Sequence, residues 1–232
     1  MTVPPELPKP FTTASPINAN FSYTDIAEGT GVVVFLGYAS TDSSATTYSL
    51  SDKAVYSEPL YTGATVTNVA PPTLQVEPDF DVTFNQAKRM KGKVKITATL
   101  GMGSETVNAQ CEGYIVAKLR KWDGTTETEI GSATGATFSS DLPVDTYIVW
   151  KTFNFEIDVT TIVNFASGDT LRITLELWAK RLQANNTAIY LLHDPKNRLN
   201  AEGNYEQGLP LDGTPHNPNT SIMEAHVPFL ID

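Results

Sequence analysis

Three histidines, His193, His216 and His226, are the side chains of this sequence best suited to general acid–base chemistry near neutral pH. His193 precedes Asp194 and Pro195, so a histidine and an aspartate stand together where a strand would end. Such a pair needs an activated serine or cysteine, and the sequence holds no Gly-x-Ser-x-Gly elbow. We therefore predict that His193 caps local backbone groups. The other two histidines lack the spacing of metal ligands.

Two pairs of carboxylates, Asp79 with Asp81 and Glu156 with Asp158, could hold calcium or serve as glycosidase acids. Side chains two apart on a strand share a face, so each pair could converge on one cation. The apolar residues between and beside them would face the core, which leaves the acids on a solvated face. The sequence also lacks a calcium-loop pattern and a phosphate-binding glycine loop. We predict no catalytic residue, no metal, no cofactor and no enzymatic activity.

A cluster of cations interrupts an acidic chain whose formal net charge is −10. We call its five residues the lysine strip: Lys88, Arg89, Lys91, Lys93 and Lys95. The last three share one parity and would lie on one strand face. We predict that the strip binds an acidic partner surface or a symmetry mate, with a merely solvated face as the alternative. Nucleic acid is disfavoured, because no aromatic side chain interleaves the strip as a stacking platform.

The tryptophans and the cysteine are more informative about packing than about chemistry. Trp122, Trp150 and Trp178 lie in or at the end of β patterns, and we predict that they anchor the core. The alternative is a sugar-stacking platform, which would need them on the surface. Cys111 is the only cysteine and lies in an apolar-alternating stretch, so we predict a buried, inert thiol.

The elements that must position these residues are β-strands, because apolar residues repeat with a period of two along most of the chain. Asp123 and Gly124 separate two such segments and predict a β-hairpin. The run from Val32 to Leu36 has the form of a strand covered on both faces, and residues 160–165 could form one helical turn. Two central, adjacent strands are predicted to build the core from Phe153, Phe155, Ile157, Leu171, Ile173, Leu175 and Leu177.

Nine or ten strands separated by turn signals predict an all-β fold, an antiparallel β-sandwich, and most simply a single jelly roll. An immunoglobulin-like sandwich is the nearest competitor, although it would leave much of the chain unexplained. Residues 1–28 contain five prolines and predict an extended arm, and residues 29–232 the sandwich domain. We expect no signal peptide and no membrane span, since the longest apolar run has only strand length.

Five segments share a likeness to one class of proteins: Tyr114–Lys121, Thr128–Gly131, Phe165–Ile173, Leu192–Pro195 and Val227–Asp232. Together they resemble structural proteins of tailed-bacteriophage virions, and the resemblance covers roughly residues 80–232. It implies a jelly-roll decoration or cement protein of the capsid surface, made in the host cytoplasm, with tail or head-fibre attachment as a neighbouring role. Its implied partners are the major capsid protein, other virion proteins and further copies of the chain. A receptor- or carbohydrate-binding module and an enzyme or enzyme accessory domain remain alternatives.

Overall fold

The computed structural model describes residues 30–42, 45–103, 110–139, 148–183, 185, 187–196 and 222–230. These residues form thirteen β-strands and no helix. The described part of the chain therefore contains no helix that could cross a membrane. The strands are β1 (Thr30–Asp42), β2 (Ala45–Ser51), β3 (Tyr61–Val66), β4 (Thr73–Val76), β5 (Asp79–Thr83), β6 (Lys88–Gly103), β7 (Cys111–Trp122), β8 (Glu127–Thr134), β9 (Phe138–Ser139), β10 (Ile148–Phe165), β11 (Thr170–Arg181), β12 (Thr187–Leu192) and β13 (Glu224–Leu230).

The strands are hydrogen-bonded in the order β3-β12-β6-β13-β1-β2-β5-β11-β7-β8, with β10 added beside β6, β4 beside β11 and β9 beside β7. This sheet folds over itself into two layers. The first layer is built around β6 and the second around β11 and β7. The two layers approach closely at Gly131 of β8, where an added Cβ would lie only 2.7 Å from Ile157 of β10. Strands β1 and β2 connect the layers.

The β-sandwich prediction is confirmed, since every ladder is antiparallel except the single β2–β5 pairing of Ser49 with Asp81. A jelly roll is not confirmed, because that fold has eight strands in two Greek keys and this order links thirteen. The predicted arm, residues 1–28, lies outside the described residues, and so does most of the polar stretch before β13.

All seven residues predicted for the core of the two longest β patterns are buried. Their strands are nevertheless not adjacent, and this part of the prediction is wrong. Strand β10 pairs with β6, whereas β11 pairs with β4, β5 and β7 in the other layer. A tight turn makes the crossing: Gly168 adopts a φ of 95°, and the Ala166 amide donates to Asp169 Oδ2 at 2.6 Å.

Residues 160–165 do not form the predicted helical turn, because β10 runs through them to Phe165. The register against β6 shifts between Val159 and Val163, which is a β-bulge that leaves Ile162 47% exposed. Pairing resumes because Phe165 enters the core, where it is 1% exposed. Burial of this aromatic ring therefore outweighs the local preference of the preceding threonines for a helix start.

The Asp123–Gly124 hairpin is confirmed, with β7 paired to β8 and Gly124 at a φ of 93°. Asp123 Oδ1 stabilises the turn by accepting hydrogen bonds from the amides of Thr125 and Thr126 at 2.9 and 2.7 Å. These bonds hold the pKa of Asp123 below its ordinary value. Strand β1, in contrast, is not covered on both faces as predicted, since its central valines are about as exposed as surface residues.

Candidate functional site

The lysine strip occupies the first half of β6, between β10 and β13. All five of its cations are exposed, while Met90 and Val94 between them are buried. The predicted shared face of Lys91, Lys93 and Lys95 is therefore confirmed. Gly92 interrupts the lysines at a φ of 115°, a conformation that disfavours side chains.

Carboxylates on the neighbouring strands reduce the charge of the strip. Strand β10 places Glu156 opposite Lys95 and Asp158 opposite Lys93, and the Lys93 ammonium donates to Glu156 Oε1 at 2.5 Å. This bond lowers the pKa of Glu156 and raises that of Lys93. On the other side, Glu224 of β13 adds a third carboxylate. Lys88 has the parity of the buried Met90, so the outer face itself holds the other four cations beside these three carboxylates.

The outer face of the second layer carries a denser set of charges, which we call the outer network. Arg172 of β11 binds Asp81 through two hydrogen bonds of 2.8 Å and reaches Glu127 of β8 at 3.0 Å. Arg120 of β7 shares Glu127 at 3.3 Å. Thr174 donates to Asp79 Oδ1 at 2.5 Å. The Asp79 and Asp81 pair does lie outside the core, as predicted, and Arg172 contacts both carboxylates.

The outer network continues along the strands to a buried carboxylate. Glu176 of β11 is only 8% exposed at its side chain, yet it accepts hydrogen bonds from the Lys118 ammonium and, at 2.9 Å, from the indole N–H of Trp178. These two donors, with the charges of Lys118 and Arg120, hold the pKa of Glu176 below its ordinary value despite the opposing effect of burial. The carboxylate is therefore charged and fully engaged in the fold.

His193 is completely buried between the layers, where the rings of Tyr48 and Phe80 meet it edge-on at 5.7 and 5.8 Å. Its Nδ1 lies 3.3 Å from Ser57 Oγ and its Nε2 lies 3.0 Å from Thr62 Oγ1. The predicted cap of local backbone groups is made by Asp194, whose Oδ1 accepts the Lys196 amide at 3.3 Å. The ring nitrogens of His193 bond other side chains instead. Its partners are side chains about 130 residues away, brought near by the β3–β12 pairing. Burial lowers its pKa to about 4, so the imidazole is neutral.

The neighbouring bonds fix the direction of each proton in this group. Ser57 Oγ accepts the Ala39 amide and donates its own proton to the Pro59 carbonyl, both at 2.9 Å. His193 Nδ1 must then carry the ring proton and donate to Ser57. Nε2 accepts from the Thr62 hydroxyl, which accepts in turn from Tyr48 at 2.8 Å. In this arrangement the imidazole does not withdraw the serine proton, so Ser57 is not activated as a nucleophile.

A surface cleft of about 900 Å³ opens beside this group and is lined by residues 39–41 and 56–60. Ser57 forms part of its wall but has no exposed surface. A molecule in the cleft would consequently meet backbone and the exposed ring of Tyr56 before it met the Ser57 hydroxyl. The geometry favours a structural role for the buried group, which ties the end of β1 to β3 and the residue after β12.

The remaining sites predicted from sequence have simple outcomes. Cys111 is buried and its pKa is raised to about 11 by desolvation, which confirms the inert thiol. His226 lies on β13, where its Nε2 bonds Glu224 Oε1 at 2.5 Å, and His216 lies outside the described residues. Within the described ranges no three His, Cys, Asp or Glu side chains are grouped to hold a metal ion.

The tryptophans do not anchor the core, so that prediction is wrong. All three are half-buried. Trp150 lies over Gly101, where a Cβ would meet its ring at 2.3 Å. Trp122 is covered by the Arg172 guanidinium, 5.7 Å from its ring centre. Trp178 lies parallel to Tyr114 on the outer face of the second layer, with ring centres 6.3 Å apart and planes 1° apart. Sequence reasoning missed this aromatic pair. Its signal was that both residues alternate with buried residues along their strands and therefore point outward.

No protein-family model and no curated protein matches the chain. Among solved structures, it is similar to a CocE/NonD family hydrolase from Staphylococcus aureus (10% identity, TM-score 0.40) and to an alpha-amino acid ester hydrolase (9%, 0.49). It is also similar to the VP2 subviral particle of infectious bursal disease virus (13%, 0.30). The matches cover 84%, 84% and 82% of this chain but 36%, 36% and 41% of the others. The chain thus spans between about a third and two fifths of these three proteins.

These likenesses concern the fold alone. They include a viral-particle protein but nothing specific to bacteriophages, decoration or cement. The prediction that the chain is not an enzyme is contradicted by the hydrolases among the matched structures. At TM-scores below 0.5 the same likeness does not assign hydrolase activity to the chain.

Proposed function

We propose that this chain is a structural protein of a virus particle, and that it binds the outer surface of a tailed-bacteriophage head as a decoration or cement protein. The observation that carries the proposal is the exposed lysine strip on the outer face of the first layer. It is a local surplus of positive charge in a chain of formal net charge −10. The resemblance of several sequence segments to virion proteins supports the same role.

The strip is suited to recognition rather than to strong attachment. Its ammonium groups are exposed, so each contact with an acidic partner is weakened by water and salt. Charges of this kind steer a partner into the correct orientation and speed association more than they add affinity. The partner would be the major capsid protein or another virion protein with a complementary acidic surface, and several copies would bind around one particle.

Binding to particles tests this proposal directly. Heads of the parent phage lacking this protein would be mixed with wild-type protein or with the Lys91→Gln, Lys95→Gln variant, and association would be followed at low and high salt. Lys93 is left unchanged because it is paired with Glu156. We expect the variant to associate several-fold more slowly at low salt and to lose most of the salt dependence.

The matched control removes the same two charges elsewhere, at the exposed residues Lys53 and Lys196. The control should bind as the wild type does. If the wild type fails to bind heads at any salt concentration, the decoration role is rejected. If both double variants bind alike, the role of the lysine strip is rejected even though the protein binds.

A further inference from the structure

A row of apolar side chains crosses three neighbouring strands on the outer face of the second layer. Tyr114 of β7 is directly paired with Trp178 of β11, and Trp178 is paired on its other side with Leu74 of β4. We call these three residues the aromatic row. Strands in a sheet lie about 4.8 Å apart, so the row is roughly 10 Å long. That is about the length of a disaccharide.

The row belongs to the surface and not to the core. Ile115 and Leu177, the next residues on the same strands, are completely buried and point to the opposite side. Leu74 is 39% exposed, and both rings are half-buried. The two rings are held parallel, and the Trp178 indole is further fixed by its hydrogen bond to Glu176. The row therefore forms a partly exposed apolar surface. Its two rings are fixed in place, so they have little side-chain freedom to lose on binding.

Polar groups border the row on both sides along the strands. On one side Glu112 of β7 pairs with Lys180 of β11 at 3.0 Å, and on the other Lys118 pairs with Glu176. Each border holds one cation and one carboxylate, so the site has no net charge. The Glu112–Lys180 border offers hydrogen-bond donors and acceptors beside an apolar centre, which is the usual composition of a small-molecule site.

We infer that the aromatic row binds a neutral carbohydrate. The C–H faces of pyranose rings are apolar and stack on aromatic rings, while their hydroxyl groups project from the ring edges towards polar neighbours. A nucleic acid would require surplus positive charge, which the balanced borders do not supply. The site lies on the layer opposite the lysine strip, so it is independent of the proposed binding to heads.

The structure supplies a control aromatic on the same outer face. Trp122, at the other end of β7, has its ring covered by the guanidinium of Arg172. The face of the Trp122 ring is therefore not free to stack on a sugar. Otherwise Trp122 resembles Trp178, since both are half-buried tryptophans on the strands of this face. Loss of binding on removal of Trp178 but not of Trp122 would separate a stacking platform from a general effect of losing a tryptophan.

The experiment uses the full chain and defined probes: cellohexaose, maltoheptaose, chitohexaose and mannohexaose, immobilised on an array and then titrated in solution. We expect one or more of them to bind the wild type. Trp178→Ala and Tyr114→Ala should each weaken that binding by about tenfold, in keeping with the strength of one aromatic stacking contact. Leu74→Ala should weaken it less. Trp178→Phe should restore part of the binding, and Trp122→Ala should leave it unchanged.

Three outcomes would overturn the inference. Failure of all four probes to bind rejects a neutral hexose ligand. Equal weakening by Trp178→Ala and Trp122→Ala rejects the row as the platform. If Trp178→Ala weakens binding to phage heads while no sugar binds, the row is a protein contact. Circular dichroism and the melting temperature of each variant check that the fold is intact.

Discussion

The two outer faces of the sandwich use charge in opposite ways. In the outer network Arg172 and Arg120 are 21% and 13% exposed, and each contacts two or more carboxylates. In the lysine strip the pair of Lys93 and Glu156 is 58% and 49% exposed and joined by one hydrogen bond. Both faces consist of paired antiparallel strands, so the difference comes from residue type and coverage and not from architecture.

The chemistry of the cations explains this difference. Arginine presents a planar fork that binds carboxylates through two parallel bonds, and it tolerates partial burial. Lysine is a strongly hydrated point charge on a flexible stem, so an exposed pair is weakly held. We conclude that the outer network uses its charges to stabilise the fold, whereas the charges of the lysine strip stay exposed and are only weakly paired.

The largest effect is expected between the two faces, in the core. Leu175→Ala removes a completely buried side chain from β11 and should lower the free energy of unfolding by about 2–5 kcal/mol, through lost burial and a residual cavity. Leu182→Ala, at a residue that is 43% exposed, is the control and should change stability by less than about 0.5 kcal/mol. Urea denaturation measures both. Similar losses would mean that the second layer is not built around β11.

The second test breaks the outer network. Arg172→Ala removes the fork from Asp81 and should destabilise the fold by about 1.5–3 kcal/mol, the range for hydrogen bonds to charged groups. Arg172→Lys keeps the charge but loses the paired geometry, and an intermediate loss in urea denaturation is expected. An unchanged stability in Arg172→Ala would show that this face is as weakly coupled to folding as the lysine strip.

The third test concerns the buried imidazole of His193. The folded-state pKa of His193 lies near 4, below its ordinary value of 6.5, so the unfolded chain binds this proton more readily. Stability should therefore be lost as pH falls from 6.5 towards 4, by at most about 1.4 kcal/mol per pH unit. Unfolding free energies of wild type and His193→Gln would be compared across that range. Equal slopes would contradict the buried neutral imidazole; His226→Gln, at a half-exposed histidine, is the control.

The smallest effect is expected in the lysine strip itself. Lys93→Gln removes the exposed pair with Glu156, and we expect no measurable change in melting temperature because solvent and salt already screen it. Glu156→Gln should behave alike. A clear drop in melting temperature in either variant would show that the strip contributes to folding, and the contrast between the two faces would fail.

Much of the local structure could be predicted because it depends on neighbours in sequence. Alternation buries Phe155 and exposes Glu156, and the Asp123–Gly124 turn follows from side-chain and backbone geometry within a few residues. The crossing between β10 and β11 could not be predicted in this way. A short turn suits a hairpin equally well, and only packing of both apolar faces against each other selects the opposite layer.

The sites that sequence reasoning missed depend on contacts between distant residues. His193 meets Ser57 and Thr62 only because β12 pairs with β3, and nothing near His193 in the sequence records that register. Tyr114 and Trp178 likewise become a pair through the register of β7 and β11. Their outward direction was readable from parity, but tryptophan's size favoured a core interpretation, which the half-buried rings correct.

The long ladder between β6 and β10 has a mechanical consequence. These strands share fifteen residue pairs, interrupted once by the bulge at residues 159–163. A force applied along the strands in opposite directions loads the hydrogen bonds of such a ladder together, in shear. A force applied across its end opens them one after another, as in a zipper. The first layer should therefore withstand a larger force along its strands than across the end of the ladder. The hydrogen bonds on either side of the bulge should share that force least evenly.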